Sequence, residues 1–198
     1  MLFTQQPIVI DQVAATVNDE IITLSDIDKA LAFYPTLRQL NEDEEQFYLR
    51  VLNELIDYKV VSMEFGQEFT LSDEDFEPVQ TEAINKAGSL EKLLAAMKRF
   101  DMEWRDFHAF IRDKVIYEKV LREKFPQRFA VEFAEVERFY NQHYLPLQQR
   151  LQLEPRPLAE MAPVIEDHLR QIKTEENLTS WLQELKQEYR IDIKLGSH

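Results

Sequence analysis

The chain has 198 residues, of which 44% are hydrophobic and 30% are charged, and its formal net charge is -14. This length suits one domain, and 13 Phe, 7 Tyr and 2 Trp are too much apolar area for an intrinsically disordered chain. The acidic balance disfavours nucleic-acid binding, because proteins of that class neutralise phosphates with an excess of Lys and Arg. No apolar run approaches the ~18 to 20 residues that a membrane-spanning helix needs.

The chain contains no Cys and only three Gly residues. The lack of Cys excludes disulfides, thiolate nucleophiles and Cys-based zinc sites. Phosphate loops and dinucleotide-binding fingerprints need clustered Gly, whereas Gly66, Gly88 and Gly196 stand far apart. The four His residues show no i, i+4 pairing and no HExxH run. We therefore expect no nucleotide cofactor and no metal ion.

The first part of the chain is rich in strand-forming residues. Residues 8–10, 13–17 and 21–24 are β-prone, and the turn residues 18–20 separate the last two segments, which predicts a β-hairpin. Ser25 follows with an acidic residue three positions later, a pattern that predicts a helix N-cap.

Helical periodicity dominates from residue 42 onward. Pro35 is expected to end the first helix early, because proline cannot continue a helix. Ser72 and Ser89 are predicted N-caps, and Gly88 is a predicted helix end between them. A longer helix is expected from Asp101 to about Phe125, and a further one from about residue 132 to 149.

Four of the eight prolines fall between residues 146 and 163, and we predict an extended, proline-rich link at 151–163. A last long helix follows. Residues 190–195 then alternate polar and apolar side chains, which is the periodicity of a strand. Because an isolated hairpin is marginal in water, the terminal strand is expected to complete its sheet. The predicted fold is mainly α: about six helices with a small β-sheet formed by the N-terminal hairpin and the C-terminal strand.

Several motifs, taken in order, resemble a known family. Residues 13–28 read VAATVNDEIITLSDID, residues 51–57 read VLNELID, residues 135–140 read EVERFY, and residues 181–185 read WLQEL. Each motif alone is degenerate, but their order is similar to that of the SurA N-terminal domain family of periplasmic chaperones. Many members of that family carry parvulin prolyl isomerase domains.

The chain departs from that family where the isomerase domain would lie. The resemblance places a parvulin domain between the EVERFY helix and the last helix, but here only the link at 151–163 occupies that interval. The parvulin signature Gly-Gly-x-Leu-Gly is also absent from a chain with three scattered Gly. The resemblance therefore implies one chaperone core over 1–198, with residues 8–150 and 164–195 completing the same core, and no isomerase activity.

The function that the resemblance implies is that of an ATP-independent chaperone of the bacterial periplasm. Such a protein binds unfolded outer-membrane or secreted polypeptides through apolar and aromatic helix surfaces. The chain opens without a basic, apolar signal peptide, and we expect the leader of a periplasmic protein to have been removed. The candidate peptide-binding residues are Met97, Trp104, Phe107, Phe110, Ile111, Tyr140 and Tyr144.

Two alternatives stay open at the level of the sequence. The apolar residues of the helix that begins near Trp104 are equally explained by ordinary core packing, and the methionines by gap-filling in a core. The chain is also compatible with a structural or assembly module that docks a specific partner protein. In that hypothesis the proline-rich link is a hinge, and the last helix swaps between the protomers of a homodimer.

Overall fold

The computed structural model describes residues 11–125 and 130–195, which divide into two compact units. Unit 1 comprises the described residues up to Val120 and from Leu185 onward, and unit 2 is the intervening segment, Leu121–Glu184. The β-prone residues 8–10 and the predicted helix-terminating Pro126 lie outside the described residues.

A small antiparallel sheet joins the two ends of the chain within unit 1. Strands β1 (Val13–Val17) and β2 (Glu20–Thr23) form the predicted hairpin, and β3 (Ile191–Ile193) pairs with the other edge of β1. The strand order is β2-β1-β3. The predicted fold class, mainly helical with a small sheet built from both termini, is therefore confirmed.

Helix α1 (Leu24–Phe33) begins two residues earlier than its predicted cap implies. The N-cap is Thr23 and not Ser25: the Thr23 hydroxyl accepts from the Asp26 N–H, and the Asp26 carboxylate accepts from the Thr23 N–H at 3.0 Å. This reciprocal capping box satisfies two backbone donors at once, which explains why it is preferred. The helix ends at Phe33, and Tyr34 takes the extended conformation that a residue before proline favours.

Two of the next helices follow their predicted start and stop signals, whereas the longer helix expected from Asp101 begins at Trp104, because Asp101 takes the left-handed conformation at φ +50°. Ser72 and Ser89 are the N-caps of α3 and α4, and Gly88 ends α3 in the left-handed conformation at φ +89°, which glycine adopts without a Cβ clash. The helices are α2 (Glu44–Phe65), α3 (Asp73–Ala87), α4 (Leu90–Arg99) and α5 (Trp104–Lys124).

The core of unit 1 is built around a buried aromatic side chain of α1. The ring of Phe33 makes edge contacts with the rings of Phe100, Phe107 and Phe110, at centroid distances of 5.7, 5.3 and 6.0 Å. Edge-to-face contacts of this kind add to the stabilisation that comes from burial alone. They fasten α1 to the start of α5 and to the end of α4.

Unit 2 contains α6 (Phe133–Phe139), a π-helical turn (Tyr140–Tyr144) and α7 (Leu145–Arg150), followed by α8 (Leu158–Lys186), whose last residues belong to unit 1. The predicted helix from 132 to 149 is thus interrupted by a wider turn. Pro146 explains this, because it lacks an N–H and its ring clashes with the carbonyl four residues earlier in a regular helix. The link is also shorter than predicted, because residues 158–163 belong to α8.

The C-terminal segment is tied back to α2 and to the hairpin by polar contacts. Lys186 Nζ lies 2.6 Å from an Asp57 carboxylate oxygen, and the Tyr189 hydroxyl donates to Glu64 at 2.8 Å. Burial, together with the hydrogen bond to Glu64, raises the pKa of Tyr189 to about 12. Arg190 exchanges two hydrogen bonds with Asn18, in the turn of the hairpin.

Asp75 connects the N-terminus of α3 to α5. Its carboxylate accepts from the Ser72 N–H at 2.9 Å and from Lys119 Nζ at 2.8 Å. The hydrogen bond from Lys119, helped by the Ser72 N–H, lowers the pKa of Asp75 to about 2. The folded state therefore favours the ionised carboxylate.

We predict that Asp75→Ala lowers the free energy of unfolding at pH 7 by about 1 kcal/mol, because it removes half of a capping box and the Lys119 contact. Since the pKa of Asp75 is depressed on folding, its contribution is complete above the ordinary value of 3.8 and disappears as the pH falls through about 2. Urea denaturation at several pH values between 7 and 2.5 measures both effects.

The matched control is Glu74→Ala, which removes an exposed acid from the same helical turn. We expect this control to change stability by less than about 0.5 kcal/mol. A loss for Asp75→Ala that is the same at pH 7 and at pH 2.5 contradicts the proposed role of the ionised carboxylate.

Candidate peptide-binding surfaces

Three of the candidate peptide-binding residues lie in the core of unit 1. Met97 is 2% exposed, and Phe107 and Ile111 are 0% exposed. They occupy the inward faces of α4 and α5, where Phe107 contacts Phe33. They offer no surface to a ligand in this structure. The prediction for these three residues is therefore corrected: they are core residues, as the packing alternative expects.

Trp104 is the most exposed of the candidates in unit 1, at 38%. Its ring lies 5.4 Å from that of His108, which stacks on Phe76 at 4.7 Å and an interplanar angle of 9°. Gln80 Nε2 lies 2.7 Å from His108 Nε2 and fixes the imidazole. The result is an aromatic cluster that crosses from α3 to α5.

Phe110 lines a cleft of about 210 Å³ in unit 1. Tyr34 stacks on Phe110 at 5.6 Å, Tyr58 meets Tyr34 edge-on at 5.9 Å, and an ion pair of 2.6 Å between Lys59 and Asp113 closes part of the rim. Cavities that hold drug-sized ligands are larger, in the range of roughly 300 to 1,000 Å³. The size and the aromatic wall suit one apolar side chain of a polypeptide.

A second cleft, of about 240 Å³, shares Tyr34 and Tyr58 with the first. Its remaining lining is mostly polar and includes Glu54 and Lys114. Burial raises the pKa of Glu54 and of Tyr58, because it disfavours their charged forms. No sequence pattern identified either of these two tyrosines as a candidate binding residue.

Lys114 is a buried cation, only 7% exposed. Its ammonium group donates to Glu82 at 2.8 Å and to Glu118, and it lies 5.7 Å from the centre of the Tyr34 ring. Lysine is rarely buried unless it is paired in this way. The network connects α3 to α5 beneath the second cleft.

The last two candidates, Tyr140 and Tyr144, lie together in the π-helical turn of unit 2. Their rings stack at 5.2 Å with an interplanar angle of 27°. The Tyr140 hydroxyl donates to the carbonyl of Arg156 at 2.7 Å, and the Arg156 N–H donates to the Tyr144 hydroxyl at 3.0 Å. The two tyrosines therefore hold a segment of the chain itself, in the extended stretch between α7 and α8.

Unit 2 has few buried side chains and many exposed apolar ones. Within the described ranges, its buried apolar residues are Val136, Ile165 and Leu182. The large apolar side chains that are about half exposed or more are Phe133, Leu147, Leu151, Leu153 and Val164. Sequence patterns did not separate these residues from core positions, because the same periodicity describes both.

No group of His, Asp and Glu in the described parts of the chain is arranged to hold a metal ion. Among the same residues, no helix has the length and apolar character needed to span a membrane. The chain matches no known protein-family model, and no curated protein is significantly similar to it. Membership of the SurA N-terminal domain family accordingly stays a prediction from the order of the motifs.

We predict that Lys114→Met lowers the free energy of unfolding by about 1.5 to 3 kcal/mol, the range for hydrogen bonds to charged groups. The variant preserves much of the side-chain volume but leaves Glu82 and Glu118 without their shared partner. Urea denaturation at pH 7 measures the change. Arg112→Met is the control, because it removes a positive charge from an exposed position of the same helix. Equal stabilities of the two variants contradict the role given to the buried ammonium group.

Proposed function

We propose that the protein is an ATP-independent chaperone of the bacterial periplasm that binds unfolded outer-membrane or secreted polypeptides and has no isomerase activity. The observation that carries this proposal is the exposure of large apolar side chains in unit 2, such as Leu147 at 48% and Leu151 at 55%. Exposed apolar side chains that lie next to one another are typical of sites that bind other proteins, and Leu147 and Leu151 lie one helical turn apart. The order of the SurA-like motifs supports the same conclusion.

The proposed mechanism is weak binding at several places. The half-exposed side chains of unit 2 cover apolar side chains of the client, and the cleft beside Phe110 in unit 1 accepts a single side chain. The sequence has no nucleotide-binding motif, so release follows from low affinity at each contact and from folding of the client. The net charge of -14 keeps a protein with apolar surface soluble.

A competing hypothesis is the structural or assembly module, which uses the same exposed residues to form a homodimer or to dock one partner protein. Sedimentation of the purified protein distinguishes the two. A stable dimer with no affinity for unfolded polypeptide favours the assembly module, whereas binding of unrelated unfolded clients favours the chaperone.

We predict that the protein suppresses aggregation of a urea-unfolded outer-membrane β-barrel protein when that client is diluted into buffer, as measured by light scattering. The double variant L147Q/L151Q is expected to lose most of the suppression, because it removes two apolar side chains one helical turn apart. Absence of suppression by the wild-type protein at severalfold molar excess would falsify the proposal.

The matched control is the double variant L90Q/L94Q. It makes the same chemical change at the same spacing in α4, where the two leucines are 48% and 47% exposed. We expect this control to retain the suppression. A loss in both double variants to the same extent contradicts the assignment of client binding to unit 2.

A standard peptide assay of prolyl isomerisation tests the other half of the proposal. We expect no catalysis above the uncatalysed rate, because the chain lacks the glycine-containing signature of a parvulin domain. Catalysis that grows in proportion to the concentration of the protein overturns this expectation.

A further inference from the structure

The contact between the tyrosine pair and Arg156 uses only the main chain of Arg156. One hydroxyl donates to its carbonyl and the other accepts from its N–H. In an antiparallel sheet, a hydrogen-bonded residue exchanges the same two bonds, one through its N–H and one through its C=O, with a residue of the neighbouring strand. Tyr140 and Tyr144 thus offer an extended chain the donor and the acceptor that an edge strand would offer.

The segment held at this site has the chemistry of an unfolded polypeptide. Pro155 and Pro157 flank Arg156, and a residue before proline is restricted to extended conformations. Residues 151–157 are all exposed, including Leu153 at 56%. The described contacts therefore hold the segment by its backbone and leave its side chains in solvent, so a different sequence can make the same bonds.

The bonds that hold the segment are individually weak. Its two bonds to the tyrosines are between neutral groups, and such bonds contribute modestly because water replaces them when they break. The segment nevertheless competes effectively, because a tethered ligand acts at a high effective concentration. A client chain must overcome that competition before it can bind.

We propose that Tyr140 and Tyr144 form a binding site for the main chain of an extended polypeptide, and that residues 153–157 occupy this site until a client displaces them. This inference rests on the proposed chaperone function and names its site and its built-in competitor. Both tyrosines lie in the π-helical turn, where their rings form one stacked pair. Turns of this kind occur frequently at functional sites.

The experiment measures the affinity of a fluorescein-labelled peptide with the sequence of residues 150–159, by fluorescence anisotropy. Arg156→Pro removes the N–H that donates to the Tyr144 hydroxyl, keeps the carbonyl that accepts from Tyr140 and preserves an extended chain, so this variant weakens the tethered competitor. We expect Arg156→Pro to bind the peptide at least threefold more tightly than the wild-type protein. Arg156→Ala retains both backbone bonds and is expected to bind like the wild type.

The second arm adds Y140F/Y144F to the Arg156→Pro variant, which removes both hydroxyls and retains both rings. We expect the affinity for the peptide to fall at least tenfold. Tyr48→Phe in the same background is the control, because Tyr48 has its own hydrogen bond to Asp28 and lies in unit 1. Circular dichroism verifies that each variant is folded.

Three results overturn the proposal: equal affinities of the wild-type and Arg156→Pro proteins, undiminished affinity after Y140F/Y144F, or no binding of the peptide to any variant. The light-scattering assay separates this failure from failure of the chaperone function. If the wild-type protein suppresses aggregation but the peptide does not bind at the tyrosines, the site is wrong and the chaperone function stands. If suppression is also absent, both are wrong.

Discussion

The pairing of β3 with β1 is the constraint on which the rest of the structure depends. Val17 and Ile191 are register partners, and the entire helical part of the chain lies between them in sequence. Because the entropic cost of closing a loop grows only slowly with its length, so distant a pairing is accessible once side-chain contacts support it. The bonds of Lys186 to Asp57 and of Tyr189 to Glu64 supply such contacts.

The two units differ in their buried and exposed side chains. Unit 1 contains the N-terminal hairpin and β3, nearly all of the described buried side chains and the interlocked rings around Phe33. The chain of unit 2 continues into unit 1 at both of its ends, so unit 2 can fold with a small core of its own. Its apolar side chains stay available at the surface, and the tyrosine pair adds groups that recognise a backbone. The exposed apolar side chains and the tyrosine pair of unit 2 together suit the proposed binding of unfolded chains.

The sequence does not distinguish the exposed candidate residues from the buried ones, and the reason is the same for each residue. Met97, Phe107 and Trp104 all fit an apolar helix pattern, but the first two are buried and Trp104 is partly exposed. Periodicity identifies an apolar face and says nothing about whether another element covers it. Tyr34 and Tyr58 form an aromatic wall. Tyr34 lies at the end of α1 and Tyr58 lies in α2, so no local motif predicts that they meet.

The sequence by itself determined the elements and most of their ends. The caps at Ser72, Gly88 and Ser89 act through hydrogen bonds within a few residues. Pro35 acts on the residue before it through steric clash, and the alternation around β3 is equally local. Three features were decided only in the tertiary structure. They are the N-cap at Thr23, the π-helical turn before Pro146 and the hydrogen bond from the Tyr140 hydroxyl to the Arg156 carbonyl. Each of these depends on a choice between competing local bonds or on groups far apart in the chain, and the folded arrangement makes that choice.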